Sequence, residues 1–375
     1  MDVKTPIWDA DFCSLQIANN PRSPTESSYS REFQSGTPLQ TFTCFVAWFL
    51  PFQPPRNHTL PSGHFTFILL HLLARFQMPE TSAKPTIVVR DLRNFDDLKQ
   101  VEAVEKEVWG LSDSDTMPLT LTVASRESGS IWLGAFDGPR LVGFAFGLLG
   151  LEGNRPNVHS HMLAVLAPYR DLELGSKLKL AQRDRVLALR IGDLRLHEIT
   201  WTFDPLQSKN AHLNFAKLGV VSDSYKVDFY GPETSSVLHR NSTDRLWVKW
   251  PITSRRVQNR LQGKDNRPEM LDALKTVSPL IHFNAHGQPH RADLTTALQR
   301  QRVAIEIPSD ILSVEKQDAS LAREWREATR WAFTESIKAG FFVGEFCRTV
   351  RGQQGPGVYV LEKGKLDEFV PELAY

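Results

Sequence analysis

Hydrophobic and polar positions alternate or recur along residues 86–250 in patterns that predict most of the elements there. Residues 86–90 (TIVVR) are a β-branched run and predict a strand. Over 94–108 the apolar positions Phe95, Leu98, Val101, Val104 and Val108 recur at helical spacing, and 117–125 predict a second short helix. Residues 131–136 and 140–149 predict paired strands, with Asp137-Gly138 as the turn. A strand over 157–166 ends at Pro168, an amphipathic helix covers 174–188, and a strand follows over 197–203. A helix over 210–218 stops at Gly219, which can adopt the left-handed cap. Strands over 220–227 and 244–250 complete the series. The expected order is β-α-α-β-β-β-α-β-α-β-β, a mixed sheet with helices on both faces in an α/β (α+β) fold.

Beyond Trp250 the pattern loosens. Residues 254–270 are polar and basic, which predicts a solvated surface segment containing Arg255, Arg256, Arg260, Lys264 and Arg267. A hairpin arm is expected around 281–287, a strand over 303–307, a helix over 319–339 ended by Gly340, and strands over 341–347 and 357–361. Residues 270–375 therefore read as a smaller C-terminal α/β annex. Its helix presents Trp325, Ala328, Trp331, Ala332 and Ile337 as an apolar face, so 321–346 are expected to dock on the acceptor side of the core.

The first 77 residues differ from the rest. They carry only ten of the chain's 44 basic and 43 acidic side chains and show no sustained period. The expectation is a low-order extension, with Met78 a candidate initiator of the patterned part; the alternative is a low-complexity anchor. The apolar runs 42–52 and 65–73 are shorter than the ~20 residues of a membrane helix, and no signal-peptide pattern precedes them. No membrane partner is expected.

A net charge of +1 argues against a nucleic-acid partner held by bulk positive charge. Three scattered cysteines, Cys13, Cys44 and Cys347, form no disulfide framework, which suits a reducing, cytoplasmic setting. His282, His286 and His290 stand four residues apart, but Asn284, Gly287 and Pro289 oppose a helix there, and no metal is expected.

The chemistry concentrates in residues 159–231. A strand runs into Pro168-Tyr169-Arg170, then a loop, then Gly175 at the start of a helix. Such a junction aims free N–H groups and the positive helix end at one point, an anion site suited to phosphate. His159 and His161 alternate along the strand, so both are expected on one side, and imidazole titrates where an ammonium proton must be removed.

These motifs resemble the GNAT superfamily of acyl-CoA-dependent N-acyltransferases over residues 86–250. Its first motif, Val-x-Pro-x-x-Arg/Gln-x-x-Gly-x-Gly/Ala, is matched by Val165, Arg170 and Gly175; its second is matched by Asn210, Phe215, Lys217 and Gly219. SHMLAV (160–165), LKLAQRDRVLAL (178–189), TWTFDPLQSKNAHLNFAKLGV (200–220) and TDRLWVKW (243–250) resemble one subfamily, predicted acyltransferases associated with N-acylamino-acid racemases, which also carries a C-terminal extension. The resemblance implies acetyl- or succinyl-transfer from an acyl-CoA co-substrate to the amine of an amino acid or similar small molecule, with a homodimer as the expected assembly. CoA would be held by Arg170, Asp171, Leu172, Glu173, Leu174, Gly175 and Ser176, with Asn210 and Phe215 on the pantetheine arm. Backbone N–H groups of Leu163, Ala164 and Val165 would hold the thioester carbonyl.

The His-x-His-x-Leu-Ala-Val strand is similar to that of arylalkylamine N-acetyltransferases and implies a proton relay through His161 and His159. Phe215 stands where many members have an acid tyrosine, which leaves Tyr225 and Tyr230 as proton donors to the thiolate. Arg245 and Arg326 are candidates for bidentate binding of a substrate carboxylate. Asp171 and Glu173 depart from the glycines usual in this loop and place carboxylates by the pyrophosphate. They motivate the alternative, a degenerate fold that senses CoA or a metabolite without catalysis.

Overall fold

The strands pair largely in the order in which they occur. In the computed structural model, which describes residues 85–152, 155–231, 236, 240–264, 277, 279–350 and 353–373, β1 (Ile87–Asp91), β2 (Ile131–Asp137), β3 (Arg140–Glu152) and β4 (Arg155–Val165) form an antiparallel meander. Asp137 pairs with Arg140 across a turn in which Gly138 has φ +57°, as the sequence led us to expect. Three helices lie between β1 and β2: α1 (Phe95–Lys99), α2 (Val101–Trp109) and α3 (Leu119–Glu127). The single helix expected over 94–108 is broken at Gln100. The Gln100 amide instead clasps the hairpin, donating to Pro139 O at 3.3 Å and accepting from Leu141 N at 2.8 Å.

A 3-10 turn (Ala167–Leu172) and α4 (Leu174–Ala188) carry the chain across to β5 (Glu198–Phe203), which runs parallel to β4. α5 (Ser208–Ala211) continues into a π-helical segment, His212–Leu218, capped by Gly219 at φ +79°. β6 (Val221–Lys226) and β7 (Arg245–Pro251) are antiparallel to each other, and β7 pairs along the whole of β5. The remaining elements are α6 (Arg255–Leu261), β8 (Pro279–Phe283), β9 (Pro289–Arg291), α7 (Leu294–Leu298), β10 (Arg302–Ile307), α8 (Ile311–Gln317), α9 (Ala319–Lys338), β11 (Phe341–Val350), β12 (Gln353–Lys363) and α10 (Leu366–Phe369). The chain is thus a mixed α/β protein.

Strand order is β1-β2-β3-β4-β5-β7-β6-β11-β12-β10-β8-β9, a continuous twelve-stranded sheet. Its two halves meet where Val343 of β11 pairs with Ser222 of β6. The described residues form one compact unit. α9 buries Trp325, Ala328, Ala332 and Phe333. It also reaches residues that flank β5 and β7: Arg326 Nη2 lies 2.8 Å from Asp204 Oδ1, and Asn241 Nδ2 donates to Ala322 O at 2.8 Å. Arg330 lies 2.7 Å from Asp244 Oδ1.

Within the solvated segment expected over 254–270, Arg255–Leu261 form a helix. Ser254 caps α6 by accepting from Val257 N, and Arg256 and Arg260 converge on Glu345 of β11 at 2.7 and 2.8 Å. Their spacing puts both guanidinium groups on one face, so the basic run is half interior. Lys264 is exposed. Arg267 and the extension 1–77 lie outside the described residues. Among the described residues no helix is long and apolar enough to cross a membrane.

Candidate active site

β4 and β5 pair at only two positions, Val158↔Ile199 and His159↔Thr200. β4 runs on to Val165 and β5 to Phe203, so the two strands separate over their C-terminal halves. Alternate N–H and C=O groups of β4 then turn toward the gap instead of a neighbouring strand. At the point of separation β4 bulges: Ser160 pairs with Gly147 and Met162 with Phe146, leaving His161 as the extra residue. A bulge increases local twist and re-aims side chains, which is how a central strand can diverge from its neighbour.

The gap holds a cavity of about 540 Å³ lined by Trp109, Ser160, His161, Met162, Leu163, Lys179, Trp201, Asp204, Asn210, Tyr230 and Arg245, among others. His161 opens onto it, with enough protein around the ring that burial lowers its pKa. His159 lies 6.2 Å behind, ring centroid to ring centroid. Its Nδ1 is 3.2 Å from Thr200 Oγ1, its ring lies 4.8 Å from that of Trp247, and burial foremost, then the charges of His161 and Lys179, push its pKa down to about 4. Both imidazoles are therefore neutral at neutral pH.

Other expected residues divide into three groups. Leu163, Asn210, Tyr230 and Arg245 line the cavity, with the Tyr230 hydroxyl 3.2 Å from Thr202 Oγ1 and the Arg245 guanidinium 5.2 Å from the Tyr230 ring centre. Ala164 and Val165 lie at the end of β4, which leads into the phosphate-type loop: Arg170 Nε donates to Val165 O at 3.2 Å, Glu173 takes φ +57°, ψ +23°, and α4 begins at Leu174. Leu172, Gly175 and Ser176 are half-buried there, and Asp171 is exposed. The Glu173 carboxylate turns to Lys217, 2.9 Å away.

Three residues are placed away from the cavity. Phe215 is fully buried, edge-on to Tyr359, so no face of it is left for a pantetheine arm. Tyr225, on β6, stacks on Phe333 and donates to Asp244 at 2.7 Å; burial raises its pKa well above the usual phenol value, which disfavours proton exchange with a ligand. Arg326 is buried against Asp204 and donates to Asn241 O. It ties α9 to the core instead of facing a substrate.

One further residue of α4 shapes the cavity, Lys179. The structure puts it inside, 2% exposed, with Nζ donating to Ser160 Oγ at 2.6 Å and sitting 3.6 Å above the centre of the Trp201 ring. Burial drives its pKa far below that of a free lysine. The signal was present: Leu174, Leu178, Lys179, Gln182 and Val186 share one buried face at helical spacing, and two of those five are polar. Gln182 fills the space beside Gly147, where a Cβ would lie 2.7 Å from its Nε2. Among the described residues no His, Cys, Asp and Glu group could hold a metal ion.

No protein-family model matches the chain, and no curated protein matches it. Solved structures do overlap with it in part. The ribosomal-protein-S18-alanine N-acetyltransferase from Escherichia coli shares 14% identity, with 44% of this chain and 94% of that one covered and a TM-score of 0.35. An aminoglycoside 6'-acetyltransferase type Ii shares 19% identity over 45% and 99% of the two chains at the same TM-score of 0.35. Arabidopsis thaliana NAA60 in complex with acetyl-CoA shares 12% identity over 44% and 99%, again at 0.35.

Proposed function

We propose that this chain is an acyl-CoA-dependent N-acyltransferase of the GNAT type, acting on the amine of an amino acid or a similar small molecule. The observation that carries the reading is the splay of β4 from β5 at a bulge occupied by His161, on a strand that leads straight to the start of α4. One element thus supplies a neutral base, turned-out backbone N–H groups and, one loop later, a helix N-terminus.

The residues fit the co-substrate. The first-turn N–H groups at Leu174, Gly175 and Ser176 have no partner within α4, as at any helix start, and would take a pyrophosphate. Glu173 supplies the left-handed turn that exposes them, and its carboxylate is drawn off by Lys217. Asn210, at the edge of the cavity, would hold the pantetheine arm. Backbone N–H groups within Leu163–Val165 would polarise the thioester carbonyl.

His161 would take the proton from the acceptor's ammonium group, with His159 behind it. Its lowered pKa keeps it unprotonated at neutral pH, and its access to solvent lets it release the proton. Arg245 beside Tyr230 would bind the carboxylate of an amino-acid acceptor; the donor would be acetyl- or succinyl-CoA, the latter with a carboxylate of its own. A cytoplasmic setting and a homodimer belong to the same reading, as does a place among the racemase-associated acyltransferases.

One observation favours a second reading, a CoA or metabolite sensor without catalysis: a glutamate stands at the left-handed position of the anion loop, where glycine costs least. The two readings part in one experiment. Melting curves with CoA and succinyl-CoA, followed by a screen of acyl-CoAs against amino acids for thiol release, give a raised Tm and turnover for the enzyme. A raised Tm without turnover supports the sensor, and no shift with any CoA refutes both.

A further inference from the structure

Acyl transfer to an amine has a proton problem that a single solvent-exposed base does not solve. Two protons leave the nitrogen: one before attack, when the ammonium becomes an amine, and one when the C–N bond has formed. One proton must reach the departing sulfur as the C–S bond breaks, and the other goes to solvent. His161, open at the cleft, suits the proton bound for solvent. With Phe215 buried and Tyr225 locked to Asp244, two sources for the sulfur's proton remain on the cavity lining: Tyr230, whose hydroxyl lies 3.2 Å from Thr202 Oγ1, and the Lys179–Ser160 pair.

We infer that Lys179 and Ser160 form a proton store at the floor of the cavity, taking a proton from the acceptor and returning it to the sulfur. The inference rests on the acyltransferase reading above. Lys179 Nζ and Ser160 Oγ are 2.6 Å apart and both line the cavity, so the hydroxyl is the link between the amine and a bound acceptor. Among the described residues no carboxylate pairs with Lys179, whereas the buried guanidinium of Arg326 has Asp204. A lysine only 2% exposed and without a counter-charge among the described residues favours its neutral form, which can accept a proton.

The surroundings tolerate the cation for a short time. The Trp201 face 3.6 Å away attracts an ammonium group. From β4 the Ser160 hydroxyl faces it, and His159 is near enough to feel its charge; from β5 comes Trp201. The ionisable side chains of β2 and β3 (Asp137, Arg140, Glu152) stand at the strand ends, and those of β1 are taken up by Asp97 and Arg185. Nothing there would hold the proton permanently.

His161 takes the first proton from the acceptor ammonium and releases it to water. The amine attacks the thioester carbonyl and the C–N bond forms; Ser160 receives the second nitrogen proton as it passes its own to Lys179. The C–S bond breaks, and Lys179 returns its proton through Ser160 to the thiolate. Amide, thiol and one released proton result, and Lys179 is neutral again.

The test compares two donors in wild type, Lys179→Met and Ser160→Ala. Methionine keeps the length and apolar packing over Trp201 and cannot carry a proton. With acetyl-CoA and an amino-acid acceptor, Lys179→Met should lose about 10²-fold in kcat, and Ser160→Ala about 10-fold, with unchanged acetyl-CoA affinity by titration. With the acetyl thioester of 4-nitrothiophenol and a weakly basic amine, neither transfer is needed, and both variants should come within about threefold of wild type. A structural role lowers both donors alike, which overturns the inference, as does Lys179→Met turning over acetyl-CoA at the wild-type rate. If Lys179→Met fails to fold by circular dichroism, the donor comparison in Ser160→Ala decides. A wild type that releases no thiol from any acyl-CoA refutes the acyltransferase reading, and this inference with it.

Discussion

The seam between the two halves of the sheet and the cleft in the first half treat buried ionisable groups differently, although Asp97, buried in the first half, is also paired, with Arg90. Around the seam between β6 and β11 the interior charges are matched: Arg326 with Asp204, Arg330 with Asp244 and Asp228, and Arg256 and Arg260 with Glu345. In the half that contains the cleft, Lys179, His159 and Glu105 are buried or half-buried without an opposite charge paired to them in the described residues, and each is shifted toward its neutral form. A buried charge paired on all sides fixes geometry and is too stable to exchange protons. A buried group held neutral is strained toward chemistry. The comparison assigns structure to the matched side and reactivity to the unmatched one.

The largest effect is expected where the matched half is broken. Arg326→Ala would leave Asp204 buried beside the cavity without its partner, at a cost of about 3–5 kcal/mol in folding stability. Denaturant titration reads it directly; a loss under about 1 kcal/mol would mean that water or Arg245 compensates and that the pair is not structural. Replacing a group of the unmatched half should do the reverse. His161→Ala should lower kcat by about 10²–10⁴ while the Tm and acyl-CoA affinity change little. His161→Gln should behave similarly, since it keeps a hydrogen bond and cannot take a proton. Near-wild-type turnover with an unchanged pH profile in either variant would return both histidines to a structural role.

How much of this was legible in the sequence follows the same division. The strands of the cleft half are apolar or β-branched runs bounded by turn signals, so β1 to β5, the turn at Gly138 and the cap at Gly219 could be placed from pattern alone. His161 and the loop to Gly175 were legible because residue type and spacing declare them. The bulge was not, since it depends on register with β3, a long-range property. Nor was the interior fate of Arg256 and Arg260: their partner Glu345 lies more than eighty residues away, and without it a basic run looks like solvated surface. Phe215 and Arg326 were misplaced for one reason. α9 and β12 cover that side of the core, and the motif alone does not reveal what packs over it.

A smaller effect should appear as pH dependence confined to the unmatched half. Glu105 has its pKa raised from 4.5 to about 7, by burial first, and its Oε1 has no hydrogen-bond partner. A carboxyl with a raised folded pKa contributes stability that is present below about pH 4.5 and lost as pH rises through about 7. Glu105→Gln removes the ionisation, so its stability relative to wild type should grow between pH 5 and pH 8 by on the order of 1–3 kcal/mol. His159 works with the opposite sign: its pKa is depressed, so its contribution is lost as pH falls from 6.5 toward about 4. Parallel stability curves for wild type and Glu105→Gln across that range would show that Glu105 is paired or solvated after all.

The smallest effect, and the sharpest for function, concerns Glu173. A β-carbon at φ +57° is disfavoured, so Glu173→Gly relieves steric strain at the price of greater freedom in the unfolded chain and the loss of the exposed contact to Lys217. These oppose one another, and the Tm should move by no more than a few degrees. Binding should respond in one direction only. The substitution removes a negative charge at the mouth of the anion loop and frees Lys217 to face the ligand, so the Kd for CoA should fall by about 2- to 10-fold at low salt, with the gain shrinking as salt rises. The same titration with dephospho-CoA separates the pyrophosphate from the remote phosphate, because a contact at the start of α4 improves both ligands alike. An unchanged or weaker Kd would mean that the Glu173 carboxylate does not face the phosphates, and that the anion is held somewhere other than at Leu174–Ser176.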